Sequence, residues 1–286
     1  MVTQQTGSAI KSLGCHCRNN WTIRVLDFFI QIKKEEKITR RLNYKIHRLF
    51  IRLKSLFSIS NKLIADHLEP KLLPQIFEFQ HQTFKSCSQN GQDIVAQTIF
   101  REYSKSLPDK VGVYLELGGS DPIYGNNSYI LETVHEWKGV TIEWSKFMYD
   151  KFVSTRNNIC VNSDALKLDY DTVMLSTLGT LECHYLSLDI DPAKQTYAVL
   201  RKILCGSNIK PLFITFEHDK YRGGPLVQIA STIILRMHGY TRLIKDVEAL
   251  NFGEYEDWWV LNDKFKQDTI QQLKNFARIV AFLVRV

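Results

Sequence analysis

No apolar run in this 286-residue chain is long enough to cross a bilayer, which needs about 20 residues. The nearest approach, Trp21–Ile32, is short and carries Arg24 and Asp27. Met1–Gly14 is polar and lacks the apolar centre of a secretory signal. A soluble, cytoplasmic protein is expected, touching a membrane at most from its surface. Paired cysteines are missing too: the six cysteines show no framework spacing, and Cys15-His16-Cys17 has no second ligand pair at finger distance. That excludes a disulfide scaffold and a zinc finger and points to a reducing compartment. Internal repeats and low-complexity tracts are absent. So is the dinucleotide fingerprint G-x-G-x-x-G, because after Gly118 the later glycine positions hold Ser120 and Ile123. A nicotinamide dehydrogenase is thereby disfavoured.

What remains is an ordinary globular composition, 44% hydrophobic and 23% charged. The formal net charge of +7 is unevenly spread. Residues 1–62 hold thirteen Lys/Arg against three Asp/Glu, while the rest of the chain holds 24 against 27. The body is therefore mildly acidic, and no nucleic-acid partner is expected for it.

Residues 1–70 read as a basic helical extension. Ile38, Leu42, Ile46, Leu49, Leu53 and Leu56 fall on one helical stripe, with Arg40, Arg41, Lys45, Arg48, Arg52 and Lys54 on the other faces. Packing against the body or a partner helix explains this stripe. Lying on an anionic membrane through residues 35–57 explains it too.

Residues 71–286 read as one α/β domain. From Val111 onward, short apolar runs alternate with amphipathic segments, the pattern of βαβ units. Strands are expected at 111–117, 139–143, 159–162, 184–190, 212–217, 240–246 and 257–260. Helices are expected at 94–103, 127–137, 146–156, 171–177, 192–204, 225–238 and 262–286. The fold class that follows is a Rossmann-like, doubly wound, mostly parallel seven-stranded sheet with a helical N-terminal extension.

Three strand ends carry ligand-type residues. The first strand runs into Glu116-Leu117-Gly118-Gly119-Ser120-Asp121, where glycines permit a tight turn and close approach of a ligand. The second ends in Glu143, 25 residues after Gly118, where a carboxylate can accept both ribose hydroxyl protons of an adenosine. The third is followed by Asp164-Ala165, an acid and a backbone N–H suited to the edge of adenine. Singly, Glu143 is also a plain strand end and Asp164 a turn residue. Together with Glu116, Gly118, Gly119 and Asp121 they read as an adenosine-cofactor site.

The segment from Ser88 to Val260 resembles the FkbM-like methyltransferases. The resemblance rests on Ser88-Gln89-Asn90-Gly91-Gln92-Asp93, Glu116 to Asp121, Asn126-Asn127-Ser128-Tyr129 and Leu131-Glu132. Trp137 to Glu143 and Tyr185 to Asp191 complete it. It implies a class I fold that binds S-adenosyl-L-methionine over the first three strands. It further implies methylation of hydroxyl groups on sugars or other small molecules. The chain departs from the family pattern at Asp121-Pro122, where Asp-Gly is usual, and at Asp189-Ile190-Asp191-Pro192, where Asp-x-Glu-Gly is common.

Two further groups bear on chemistry. Asp189 and Asp191 alternate along one strand, as in a D-x-D cation site, though Asp191 also reads as the N-cap of the next helix with Pro192 at N1. No resident metal is expected. Phe216-Glu217-His218-Asp219 ends the fifth strand, and His218, oriented by Glu217 or Asp219, is a candidate general base. A solvated turn explains it equally well. Asp189 and His218 are thus the expected catalytic pair. Two other functions stay open: a metal-dependent glycosyltransferase built on Asp189 and Asp191, and a non-catalytic protein docking through its basic helix.

Overall fold

The computed structural model describes residues 86–107, 109–249 and 253–284. The basic extension, its apolar stripe, the stretch 35–57 and Cys15-His16-Cys17 all lie outside the described residues.

Within them the sheet has seven strands: β1 (Val113–Leu117), β2 (Lys138–Glu143), β3 (Ile159–Asn162), β4 (Tyr185–Leu188), β5 (Phe213–Glu217), β6 (Tyr240–Ala249) and β7 (Gly253–Leu261). Their order is β3-β2-β1-β4-β5-β7-β6. Strands β1 to β5 are parallel, and β7 is inserted antiparallel between β5 and β6. This is the doubly wound, Rossmann-like arrangement expected from the sequence. The order of strand addition reverses between β1 and β4, which run parallel, so ligand-binding loops belong beyond the carboxyl ends of those strands.

Eight helices accompany the sheet: α1 (Gln92–Tyr103), α2 (Tyr129–Thr133), α3 (Lys146–Thr155), α4 (Tyr170–Leu178), α5 (Ala193–Gly206), α6 (Lys220–Gly223), α7 (Leu226–Met237) and α8 (Gln267–Leu283). Local chemistry sets several ends. Ser145 caps α3 by accepting from the Met148 N–H, and Asp169 caps α4 by accepting from Thr172. Asp191, expected to cap α5, does not: Pro192 is the N-cap residue and no side chain bonds there. The helix expected over 127–137 shrinks to α2, because the chain must return to start β2 at Lys138.

One face of the sheet is apolar throughout. Leu115, Leu117, Val140, Ile142, Leu186, Leu188, Ile214 and Phe216 pack there against Met174 of α4, Val199, Leu200 and Ile203 of α5, and Leu235 of α7. The opposite face alternates to Tyr114, Glu116, Thr141, Ser187, Thr215 and Glu256, all buried and polar. Helix α7 leaves the stripe Leu226, Ile229, Ile233 and Met237 exposed, while Gln228, Ser231 and Leu235 face the protein.

Candidate functional site

The loop after β1 is built around a close approach. Gly118 has φ +83°, and a side chain there would drive its Cβ to 1.7 Å from the Asp189 carbonyl oxygen. Glycine is therefore imposed by contact between the ends of β1 and β4, the switch point itself. Ser120 follows at φ 50°, a left-handed conformation uncommon for a residue with a Cβ. Its N–H is thereby presented to Glu143, donating to Oε2 at 3.1 Å.

Glu143 stands at the end of β2 and is buried. Its other oxygen accepts from the Ser145 N–H at 2.7 Å. Each oxygen has two lone pairs, so a carboxylate fixed once per oxygen retains capacity for two further donors. Beside it Trp144 is 79% exposed, an indole left uncovered at the same strand end. Asn162 of β3 holds this corner by donating to the carbonyls of Glu143 and Trp144.

The other expected cofactor residues divide into braces and open groups. Glu116 is enclosed, and one carboxylate oxygen takes donors from Asn126, Ser128 and Thr141. Its expected contact with a ligand gives way to bracing the loop from beneath; burial pushes its carboxyl up. Gly119 packs tightly, since a Cβ there would meet Phe152 and Thr141 below 3.0 Å. Asp121 makes the turn that follows, accepting from the N–H groups of Ile123 and Tyr124. Asp164 likewise accepts from the Leu166 N–H through Oδ1, while its Oδ2 lies 3.7 Å from Lys167. Ala165 is buried, and its carbonyl accepts from the Tyr170 hydroxyl.

Beneath the loop lies a network that the sequence did not announce. Arg156 is buried and donates to Glu132, the Pro122 carbonyl, Asn126, Tyr114 and Ser128. Burial alone would push the Glu132 carboxyl up, but the charge and hydrogen bond of Arg156, with the Asn157 and Asn158 N–H groups, hold it below its ordinary range. The segment 88–93 is also structural. Asp93 accepts from Ser86, Cys87 and Ser88, and Gln92 reaches Tyr255 and Glu256 on β7. A parallel bridge from Ser88 to Gly125 ties this segment to the β1 loop.

The ends of β4 and β5 hold the acids. Leu188 pairs with Phe216, so Asp189 and Glu217 are neighbours in register, one step beyond that pair. Asp189 is exposed to solvent at its edge although protein surrounds it closely. Desolvation comes first and raises both; repulsion from Asp191, Asp219 and Glu143 adds to it for Asp189, and repulsion from Asp189 and Asp219 for Glu217, which stands well above its ordinary value. Asp219, buried at φ 47°, adds an Oδ1 with no hydrogen-bond partner.

His218 points elsewhere. It is 0% exposed, with Nε2 3.3 Å from Asp257 and 3.2 Å from Gln228, while Nδ1 accepts from the Lys220 N–H. A side chain enclosed on every side cannot reach an acceptor, so the general-base role expected of His218 fails. With Asp246 and Asp257 it forms the sole described cluster of three residues spaced as metal ligands. Gln228 donates to both of those aspartates there, and Lys220 and Arg242 pair with them. The cluster is a satisfied buttress between β5, β6, β7 and α7. Asp191 belongs to no such group; it is exposed and 3.4 Å from Arg222. The D-x-D cation reading therefore finds no third ligand among the described residues.

No family model matches the chain, and no curated protein does. Solved structures similar in fold include a putative O-methyltransferase from Klebsiella pneumoniae, at 15% identity and TM-score 0.44, covering 69% of this chain and 93% of that one. The O-methyltransferase from Bacillus cereus in complex with SAH follows at 14% identity and TM-score 0.42, with 68% and 93% covered. The S. pombe Dnmt2 methyltransferase matches at 15% identity and TM-score 0.41 over 55% of this chain, which spans half the length of that protein. Among the described residues, no helix is long and apolar enough to cross a membrane.

Proposed function

We propose that this protein is an S-adenosylmethionine-dependent methyltransferase acting on a hydroxyl of a sugar or other small molecule. One observation carries the reading: Glu143, at the second strand end of a doubly wound sheet, is clamped by the Ser120 and Ser145 N–H groups beside the switch-point turn. The donor set fits that cofactor. Glu143 offers free lone pairs for ribose hydroxyls, and the exposed Trp144 offers a face for an adenine. Asn127 Oδ1 and Asp219 Oδ1, buried acceptors without a donor, suit an ammonium group. The acid-rich ends of β4 and β5 suit a positively charged sulfonium.

When bound, the cofactor supplies a methyl group for in-line transfer to a nucleophile. The chain must then position the acceptor oxygen and take up its proton. Asp189 and Glu217 meet that need. Both carboxyls are raised above their ordinary range, so an ionised oxygen of either would be a stronger base than a free carboxylate. Arg222, bridging Asp191 and Asp219, sits where it can order the approach.

A thermal-shift panel tests the reading. S-adenosylhomocysteine (SAH) at 100 times its Kd should stabilise the protein by about 2.7 kcal/mol. Response to a UDP-sugar with Mn²⁺ or to NAD, and not to SAH, would reject it.

A further inference from the structure

Among the described residues, the groove along the outer edge of the sheet is lined by cations and by no acid. Arg236 of α7, Arg242 and Lys245 of β6, and Lys274 and Arg278 of α8 converge around a cavity of about 510 Å³, with Tyr240 and Asn262 at its end. Tyr240 pairs with Leu261, and Val260 with Phe213 at the start of β5. The groove thus opens at the sheet edge opposite the strand ends that carry Glu143 and Glu217, and it is no part of the site described above.

Two of the five cations are neutralised locally. Arg242 is 3.1 Å from Asp257, and Lys245 is 2.8 Å from Asp246. Arg236, Lys274 and Arg278 form no ion pair with a described residue. Basic side chains on an edge strand often serve only to block strand pairing. Here the three uncompensated ones come from two helices instead, with Lys274 and Arg278 one turn apart on α8. Bringing like charges together is unfavourable unless an anion joins them. Guanidinium forks match phosphate oxygens two at a time, and a small-molecule site commonly measures about 300–1,000 Å³.

We infer that this groove binds a ligand bearing two or more phosphate groups. A free diphosphate and a phosphorylated lipid headgroup share that chemistry. The lipid source has its own support: the exposed stripe Leu226, Ile229, Ile233 and Met237 runs along α7 up to Arg236 at the groove, and α7 carries no acidic residue. Such a stripe beside cations suits an interface with anionic lipid.

The test compares the full-length protein with its Lys274→Ala/Arg278→Ala variant at fixed ionic strength. Both carry the same basic N-terminal residues, so any contribution from those cancels. Calorimetry with pyrophosphate and sedimentation with phosphatidylcholine vesicles containing a bisphosphorylated inositol lipid are the two arms. The expected result is binding in at least one arm, weakened ten-fold or more in the variant, with SAH binding unchanged. Binding of free pyrophosphate assigns a soluble ligand; binding of vesicles alone assigns the lipid. Arg201→Ala, outside the groove, should behave as the native chain does. Should the double variant fold poorly, Arg278→Gln alone, at an exposed position, gives the same readout. The inference is overturned by no binding in either arm, or by binding that these substitutions leave intact. Dependence on Lys274 and Arg278 seen only with an acidic peptide would overturn it as well.

Discussion

Asp189 and Glu217 occupy equivalent positions at the ends of adjacent parallel strands, one step beyond the Leu188–Phe216 pair, and both carboxyls are raised above their ordinary range, by burial first. If this pair takes the acceptor's proton, Asp189→Asn and Glu217→Gln should each lower methyl transfer by about 10²–10⁴-fold while SAH affinity changes little. Radiolabelled methyl transfer to a panel of hydroxylated sugars would measure it. Full turnover in both variants would remove the pair from the mechanism, and loss of activity on adding EDTA would replace proton transfer by a bound cation.

Glu143→Ala should weaken SAH binding roughly ten-fold or more, equivalent to about 1.5 kcal/mol. The Ser120 and Ser145 N–H groups would also lose their acceptor, so circular dichroism must accompany the calorimetry. A folded variant with native affinity would place the ribose elsewhere.

His218→Gln should act on stability rather than on ligand binding. Its imidazole fills an enclosed site between Asp257, Gln228 and the Lys220 N–H. A lowered melting temperature with unchanged SAH affinity is expected. Lost transfer activity at native stability would return His218 to the reaction.

Arg156→Met should cost about 3–5 kcal/mol, because it strands Glu132 and several carbonyl and hydroxyl groups without their donor. Adding Glu132→Gln should recover part of that loss, and denaturant unfolding of the two variants reads the difference. Additive losses would mean that the ion pair contributes nothing beyond its separate contacts.

Stability should fall as pH rises from about 6.5 to 8. Burial pushes the Glu256 carboxyl up to about 8 from 4.5, so the folded state keeps a proton that the unfolded chain has already released. Its contribution is complete below pH 4.5 and lost as pH rises through 8, with a slope of at most about 1.4 kcal/mol per pH unit. His184, lowered by burial to about 4, works oppositely but only below 6.5, where its protonation begins to favour the unfolded chain. Melting temperatures of Glu256→Gln across this window should be the flatter series. Parallel curves for both proteins would contradict the assignment.

Much of the architecture could be read in advance because strand and helix periods are local. The run Ile159–Asn162 matches β3 residue for residue, and the others differ mainly at their ends. Glu143 was legible as a strand-end acid at a telling distance from Gly118. Register was not. Nothing in the chain says that residue 189 stands beside 217, so Glu217 reads there only as a group that orients the more conspicuous His218. The buried face of α7 is not legible either, since its sequence is apolar on more than one face and the stripe Leu226, Ile229, Ile233 and Met237 is the exposed one. Arg156 gave no signal because its five partners lie 24 to 42 residues earlier in the chain.

Trp144 gives the protein a reporter of its own. Trp137, Trp258 and Trp259 are sealed in the interior, and Trp144 alone among the described tryptophans stands in water, next to the clamped carboxylate. A soluble quencher should therefore reach its fluorescence while sparing the others. A ligand seated over Glu143 would shield it. Occupancy of the cleft can then be followed by light on the unlabelled protein, with Trp144→Phe as the blank.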